Sequence, residues 1–323
     1  MKLSSLVGQP FLPADFPLPL DQPFTYRTAQ REAGLDSNDL HWLVQNGFLV
    51  RPIRNVYVAA QLPDSIELRC ACLRLVVPTD AVVCDRHAGW LHGAEMVLAP
   101  GEHLALEPIR IFLPAGRGRL RHGLADSGER TFQPDDLTEI RGLRATTPIR
   151  TAWDLGRTRW QERSLAGLDQ MLRLRVFTKE ELVAGVARFR GMRWVRVLRA
   201  MAPLADGRAE SPPESVLRLR WIEVLVFRPT PQFEVWDGGQ FLARLDLASE
   251  ELRWAAEYDG DEWHSSPEQR THDRVRRELC EQRANWLITP FRRENLFGRH
   301  QNAERLLRVG ASDARSRFGI RLP

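Results

Sequence analysis

The sequence predicts an α/β protein of several domains: a small N-terminal module of helices and a hairpin, a middle α+β region, and a C-terminal core of order αβββαβ. Length is the first observation, because 323 residues exceed what one hydrophobic core usually serves. Helix-like and strand-like hydrophobic patterns also follow one another along the chain. Finally, the small, polar and proline-containing stretch at 201–213 is typical of a linker. We therefore expect domains at 20–60, 61–200 and 214–300.

The composition is that of a soluble globular protein. Hydrophobic residues make up 43% of the chain, and ten Trp and fourteen Phe supply ample core material, which excludes a wholly disordered chain. No stretch reaches the roughly 18 uninterrupted apolar residues of a membrane helix. The proline-rich residues 1–20 make a poor signal peptide, and we expect them to be poorly packed. Four cysteines do not make a disulfide scaffold, so a reduced cytoplasm is expected.

The positive charge is carried almost entirely by arginine. Lys+Arg number 46 against 42 Asp+Glu, for a net charge of +4, and the only lysines are Lys2 and Lys179. Arginine offers a planar fork to phosphates and base edges. Codon bias in a GC-rich genome also produces such an excess, so the charge permits nucleic-acid binding without requiring it. Chemistry beyond residue 179 has no lysine to use.

The sequence pattern of residues 24–60 predicts two short helices followed by a β-hairpin. Thr25 can cap a first helix that ends near Gly34, and Asp36 or Ser37 can cap a second one. The following FLVRPIRNVYVAA contains two short β-rich runs around a turn. This succession is the outline of a winged helix-turn-helix.

In that outline the second helix would contact DNA bases and the hairpin would contact phosphates. The expected recognition residues are Asn38, His41, Trp42 and Gln45, and the expected wing residues are Arg51 and Arg54. The alternative is a small helical packing module without a DNA role.

The middle region, 61–200, mixes helices and strands. Its densest basic cluster is formed by Arg117, Arg119, Arg121 and His122. This cluster could contact phosphate, although a solvated loop is the ordinary outcome for such a run.

Three segments of the first 200 residues carry a family resemblance. FTYRTAQREAGLDSNDLHWLVQNGFLVRPIRNVYV resembles the N-terminal winged-helix module of AbiEi-type antitoxins of type IV toxin–antitoxin systems. RHAGWLHG and RATTPIRTAWDLGR are similar to the middle region of long actinobacterial proteins that carry this module. The resemblance implies DNA binding, autoregulation of an operon, and a cognate toxin as a partner.

Acidic residues converge at one strand end of the predicted C-terminal core. A tight turn at Glu251–Leu252 would pair Asp246 with Glu257 across two strands, with β-carbons about 4.5–5.5 Å apart. Asp259 would point the same way as Glu257, because side chains alternate along a strand, and His264 follows shortly after. Such a group predicts an oxygen-rich site for Mg²⁺ (or Mn²⁺) with a proton carrier. The alternative is a solvent-exposed acidic hairpin.

The same region resembles the PD-(D/E)xK, or restriction-endonuclease-like, superfamily, and within it the very-short-patch-repair (Vsr) endonucleases. The resemblance is carried by Glu214, Asp246 and the segment EYDGDEWH that begins at Glu257. It implies that Asp246 and the backbone carbonyl of Tyr258 hold Mg²⁺ together with Glu257, supported by Glu214 and Asp259. His264 would assist the attacking water.

Two departures from that pattern bear on activity. The superfamily lysine is Asp259 in this chain, so Gln269, Arg270 and Arg274 on the next helix are the candidates to replace it. The zinc-binding cysteines of Vsr enzymes are missing, since this region has only Cys280. The expected function is Mg²⁺-dependent hydrolysis of DNA phosphodiesters. The alternatives are a non-catalytic DNA-binding regulator of the antitoxin type and a protein–protein scaffold.

Overall fold

The structure is a computed structural model that describes residues 3–94, 97, 109–118, 125–259 and 267–319. The chain divides into two compact units, a first unit of Met1–Leu155 and a second unit of Gly156–Pro323. Both units mix helices with sheets, so the predicted α/β multidomain class is confirmed. Among the residues described, no helix has the length and apolar character needed to cross a membrane.

The first unit begins with the predicted winged helix-turn-helix outline. The Thr25 side chain accepts a hydrogen bond from the backbone N–H of Thr28 at 3.3 Å, and Gly34 ends the first helix in the left-handed region. Asp36 caps the second helix through a capping box with Asp39. The elements are β1 (Phe24–Thr25), α1 (Tyr26–Ala33), α2 (Ser37–Gln45), β2 (Leu49–Ile53) and β3 (Val56–Ala59), with strand order β1-β3-β2.

The segment before this module is well packed, so the prediction of a poorly packed lead-in was wrong. Four of its apolar side chains share a core with Leu40 and Leu43 of α2, whereas Val7 and Phe11 are exposed. Proline breaks regular structure, but it does not prevent the leucine and phenylalanine residues between the prolines from being buried. The buried side chains are those of Leu6, Leu12, Phe16 and Leu18.

The remainder of the first unit is built on a five-stranded sheet of order β6-β5-β4-β8-β7. Strand β4 pairs in parallel with β8, which comes much later in the chain, and antiparallel with β5. The elements are α3 (Ile66–Arg74), β4 (Val82–Val83), α4 (Asp85–Leu91), β5 (Ile109–Pro114), β6 (Ala125–Arg130), β7 (Leu137–Ile140), β8 (Leu143–Thr146) and α5 (Pro148–Gly156).

A buried network of charges, which we call the arginine–aspartate network, ties these elements together. Arg130 binds Asp85 at 2.8 Å and Asp154 at 2.9 Å. Arg150 binds Asp154 at 3.0 Å and also binds Asp136. Every one of these carboxylates therefore has a guanidinium partner, as buried charges require.

The second unit opens with helices that are packed against one another. They are α6 (Gln161–Arg173), α7 (Lys179–Ala184), α8 (Val195–Met201) and α9 (Pro212–Val224). Asp169 of α6 is fully buried and binds Arg218 of α9 at 2.6 Å. Burial raises the pKa of the Asp169 carboxyl above its ordinary value, although the nearby Arg218 opposes that rise.

Residues 201–213, which we predicted as a linker, lie within this packing. Ala202, Ala205 and Ala209 are buried. A Cβ on Gly207 would lie 2.9 Å from backbone atoms of Leu172 and Arg173, so the chain passes directly over α6. Small residues permit such close approach as well as flexibility, which is why their composition predicted a linker. The division between compact units falls instead at Leu155/Gly156.

The second unit ends in the predicted αβββαβ order. Its sheet has strand order β12-β11-β10-β9, with β11 and β12 parallel and the other pairs antiparallel. A further helix beyond the expected end at residue 300 packs Leu307 and Ala311 against the sheet. The elements are β9 (Thr230–Asp237), β10 (Gln240–Ser249), β11 (Trp254–Tyr258), α10 (Pro267–Ala284), β12 (Leu287–Phe291), α11 (Arg293–Leu296) and α12 (Ala303–Phe318).

Candidate functional site

One face of α2 is exposed and polar. Asn38, His41 and Gln45 are exposed at helical spacing, while Leu40 and Leu43 on the opposite side are buried. Trp42, also expected in the recognition set, is half-buried and its ring stacks on Phe48 with ring centroids 5.9 Å apart. The helix therefore offers two amides and an imidazole to a partner, and the indole belongs to the packing.

The two wing arginines differ in their surroundings. Arg54 is exposed at the turn between β2 and β3, next to Asn55, whose backbone is in the left-handed region. The Arg51 guanidinium lies over the Tyr57 ring, 5.5 Å from its centroid, and the residue is half-buried. Arg54 is thus the better placed of the two to meet a phosphate.

Only one member of the predicted basic cluster lies in the described part of the chain. Arg117 is exposed and binds Asp80 at 3.2 Å, so an exposed carboxylate already neutralises it in part. Arg119, Arg121 and His122 lie outside the described residues.

The register of β10 and β11 is the one predicted from the sequence. Leu247 pairs with Ala256 and Ala248 with Ala255, so one residue further along both strands Asp246 lies opposite Glu257. The backbone N–H of Tyr258 donates to Asp246 Oδ2 at 2.8 Å, which places this carboxylate at the edge of β11. The predicted proximity of Asp246 to the end of β11 is confirmed.

Alternation along β11 sets which side of the sheet carries Glu257. Ala255 packs with Cys280 of α10. Glu257 lies two residues from Ala255 on the same strand, so it shares the α10 side of the sheet.

A guanidinium from α10 binds the acids at the end of β11. Arg277 Nε donates to Glu257 Oε2 at 3.0 Å, and Arg277 Nη2 donates to Asp259 Oδ1. Burial alone would lower the pKa of Arg277, but the adjacent carboxylates of Asp259 and Glu257 outweigh it and raise that pKa. Both carboxylates thus have a permanent positive partner.

Sequence reasoning did not single out Arg277. It named Gln269, Arg270 and Arg274, whose side chains lie outside the description, as does the whole of His264. Arg277 is one helical turn beyond Arg274, so the spacing 270, 274, 277 marks a single helix face. That arginine stripe, following directly on an acidic strand end, is the signal that could have identified it.

Glu214 is held by groups close to its own helix start. Its oxygens accept hydrogen bonds from the Glu210 backbone N–H at 2.9 Å, from Ser211 Oγ at 2.8 Å and from Gln232 Nε2 at 2.9 Å. Gln232 lies between the pairs that join β9 to β10, which sets it opposite Asp246. Glu214 thus binds a residue of β9 that lies beside Asp246 in the sheet register.

The donor set at the strand end does not fit a divalent ion while Arg277 is present. Arg277 already neutralises Glu257 and Asp259, and a second cation at these oxygens would meet a like charge. Within the described residues, no group of three or more His, Cys, Asp or Glu side chains could hold a metal ion.

Comparison with known proteins gives one family model and two relatives. Residues 81–204, in the middle region, match the model of the AbiEi antitoxin C-terminal domain. Uncharacterized protein Rv2248 of Mycobacterium tuberculosis (strain H37Rv) is 34% identical over 248 residues, which cover 77% of this chain and 87% of that protein. Uncharacterized protein MT2308 of strain CDC 1551 matches with the same identity and coverage. The chain belongs to the family of these mycobacterial proteins, and its middle region resembles the C-terminal domain of AbiEi antitoxins.

Proposed function

We propose that this protein is a DNA-binding regulator of the antitoxin type. The observation that carries the proposal is the exposed polar face of α2 beside the β2–β3 wing, in a chain whose residues 81–204 match an antitoxin domain. A winged helix of this outline binds DNA by placing its second helix in the major groove.

The residues of this face suit two kinds of contact. The amides of Asn38 and Gln45 can donate to and accept from base edges, which is how sequence is read in the major groove. His41 lies between them on the same face, and Arg54 on the wing is placed to bind a phosphate. Arg51, held over Tyr57, stiffens the wing and contributes its charge from a fixed position.

The partners in this proposal are DNA and a toxin protein. An antitoxin-type regulator acts on the DNA that controls its own operon and counters the product of a neighbouring toxin gene. Expression of such a toxin alone should arrest growth of the host cell. Co-expression of this protein with the toxin should restore growth.

Fluorescence anisotropy with the full-length protein tests DNA binding. The probes are DNA from upstream of the protein's own gene and a shuffled duplex of the same composition. Arg54→Ala should weaken binding to both duplexes and reduce the slope of log affinity against log salt by about 0.9, the value for one lost phosphate contact. Asn38→Ala with Gln45→Ala should instead weaken binding to the upstream duplex alone.

The matched control is Arg199→Ala, which removes an exposed arginine from α8 in the second unit. It should leave both affinities unchanged. Full-length protein that shows no salt-dependent binding to either duplex at low ionic strength would remove the proposal.

A Mg²⁺-dependent nuclease is the second candidate function, favoured by the β10–β11 register that sets Asp246 opposite Glu257. The ion, Mg²⁺ or Mn²⁺, would lie between these carboxylates and the Tyr258 carbonyl, with Asp259 and Glu214 in support. His264 and Gln269 would assist at the water. In the arrangement described, Arg277 occupies two of the three strand-end carboxylates, so the candidate requires Arg277 to move.

Cleavage of a panel of supercoiled, linear and single-stranded DNA by the wild type and Asp246→Ala separates the two candidates. Cleavage that needs Mg²⁺ or Mn²⁺ and is lost in Asp246→Ala supports the nuclease. If the DNA stays intact with Mg²⁺ and with Mn²⁺ and the protein binds it sequence-selectively, the result supports the regulator.

A further inference from the structure

We propose that Arg277 is a built-in cation that keeps divalent metal out of the acidic site, so that the αβββαβ core is metal-free unless this guanidinium is displaced. Arg277 and the strand-end acids all lie in the second unit, so this role goes beyond the proposed regulator function and does not depend on DNA binding by the winged helix.

The charges at the strand end require a cation. Glu257 and Asp259 lie two residues apart at the end of β11 and point to the same side of the sheet, with Asp246 opposite on β10. Carboxylates this close repel one another unless a positive charge lies among them. Arg277 supplies that charge by bridging Glu257 with Nε and Asp259 with Nη2.

The packing of α10 holds the guanidinium in this position. Cys280, one turn beyond Arg277, is fully buried and packs with Ala255, Trp286 and Ile288. Because this turn of the helix is fixed in the core, Arg277 reaches the acids from a rigid support. A positively charged side chain on a mobile loop would yield to an incoming ion more easily.

The side chains of Arg277, Glu257 and Asp259 are buried to different extents. This difference determines from which side a metal ion could replace the guanidinium. The Glu257 side chain is only 4% exposed, whereas the side chains of Arg277 and Asp259 are 22% and 28% exposed. Removing Arg277 would take a guanidinium from the buried Glu257 carboxylate, while the Asp259 side of the cluster stays partly exposed to solvent. An ion from solution could then enter from that side and restore the balance of charge.

Metal binding by three full-length proteins tests this inference: the wild type, Arg277→Gln, and Arg277→Gln combined with Asp246→Asn. Free Mn²⁺ is measured by electron paramagnetic resonance, and the melting temperature is measured with and without Mn²⁺. We expect the wild type to bind weakly and Arg277→Gln to bind about tenfold or more tightly, because a like charge has been removed from the site. The double variant should return to weak binding.

Arg283→Gln is the matched control on the same helix. Arg283 pairs with Asp237 at 2.7 Å and Gln240 at 3.1 Å, away from the strand-end acids, and it is 41% exposed. This variant should bind Mn²⁺ as the wild type does. In the absence of metal Arg277→Gln should melt lower than the wild type, and Mn²⁺ should recover most of that loss by mass action.

Three results would overturn the inference: Mn²⁺ binding by the wild type as tight as by Arg277→Gln, a folded Arg277→Gln that binds no better than the wild type, or an Arg277→Gln that stays insoluble with and without Mn²⁺. An Arg277→Gln that is soluble only when Mn²⁺ is present would support it. DNA affinity of the same variants, read by anisotropy, should not change, so failure of this inference and failure of the regulator proposal are separate results.

Discussion

The two units both neutralise buried carboxylates with arginine, but they differ in how completely the charges are enclosed. In the arginine–aspartate network of the first unit, the side chains of Asp154, Asp136 and Arg150 are at most 3% exposed. In the acidic site of the second unit, the Arg277 guanidinium bridges two carboxylates, and the Asp259 side chain is 28% exposed. The Asp136–Arg150–Asp154 part of the first network is thus closed to solvent, although Arg130 and Asp85 are 15% and 18% exposed, whereas the second cluster is more open on its Asp259 side.

Arg130 shows how strongly the first unit holds its charges. Its guanidinium lies over the Phe112 ring, 3.8 Å from the centroid, while binding Asp85 and Asp154. Burial alone would lower the pKa of Arg130, but Asp85 and Asp154 outweigh burial and raise that pKa. Removing one partner from such a group leaves an uncompensated charge away from water, which is the expensive step.

The largest expected effect is that of Arg150→Met. It removes the Arg150 guanidinium from the enclosed carboxylates of Asp136 and Asp154, and should reduce the free energy of unfolding by about 3–5 kcal/mol. Urea denaturation measures the loss, and hydrogen exchange of peptides from β7 to α5 locates it. Arg144→Met removes an exposed arginine from neighbouring β8 and should stay within about 0.5 kcal/mol. Equal losses in the two variants would mean that the network does not stabilise the fold.

The next effect is a pH dependence specific to the first unit. Burial, helped by the positive charges of Arg86 and Arg110, lowers the pKa of His87 to about 3 in the folded state, against an ordinary value of 6.5. The folded protein therefore binds fewer protons than the unfolded chain between these values, and stability falls as the pH drops below 6.5. Above pH 6.5 this contribution is constant.

His87→Asn tests that dependence, because its amide oxygen can replace Nδ1 as the acceptor for the Arg110 backbone N–H. Between pH 7 and pH 4 the wild type should lose roughly 3 kcal/mol more stability than the variant. Parallel curves of stability against pH would show that His87 is not the group responsible.

Gly310→Ala should destabilise the second unit without touching its charges. A Cβ at this position of α12 would lie 2.8 Å from the Trp254 ring and 2.9 Å from Thr289 Oγ1, which accepts the indole hydrogen bond. The expected loss is about 1–3 kcal/mol. Val309→Ala, on the exposed side of the same helix, is the control and should change stability little. If Gly310→Ala also changed Mn²⁺ binding, packing of α12 and the acidic site would be coupled.

The smallest expected losses of stability come from Arg-to-Lys substitutions in both units. They test most directly whether the arginine–aspartate network and the acidic site differ in their enclosure. Arg277→Lys keeps a positive charge beside partly exposed Asp259 and should cost less than about 1 kcal/mol. Arg150→Lys loses the fork that reaches two enclosed carboxylates and should cost about 1–3 kcal/mol. Equal costs, measured by urea denaturation, would remove the distinction between a closed and an open cluster.

Local signals in the sequence predicted the local structure well. Thr25, Gly34 and Asp36 act at the helix ends where their side-chain chemistry predicts, because capping involves only neighbouring residues. The β10–β11 register followed from one tight turn, since a turn fixes which residues lie opposite. The proximity of Asp246 to Glu257 was therefore predictable.

What depends on distant packing was not predictable from the sequence. The pairing of β4 with β8 joins residues far apart in the chain, and no local pattern specifies it. Arg277 escaped notice because its contact with the acids depends on how α10 lies along the sheet, which no local pattern specifies. The burial of Leu12 and Phe16 similarly depends on a core formed by α2, which composition alone does not reveal.

The ion pair between Asp169 and Arg218 limits where the chain can be joined to another C-terminal core. Asp169 lies inside the stretch that matches the antitoxin domain, residues 81–204, and Arg218 lies beyond its end. A gene fusion that kept the first and replaced the second would leave a buried carboxylate without its guanidinium partner, at a cost of about 3–5 kcal/mol. A chimera built on the antitoxin-like segment should therefore carry α9 along with it, because the buried ion pair extends beyond the matched domain.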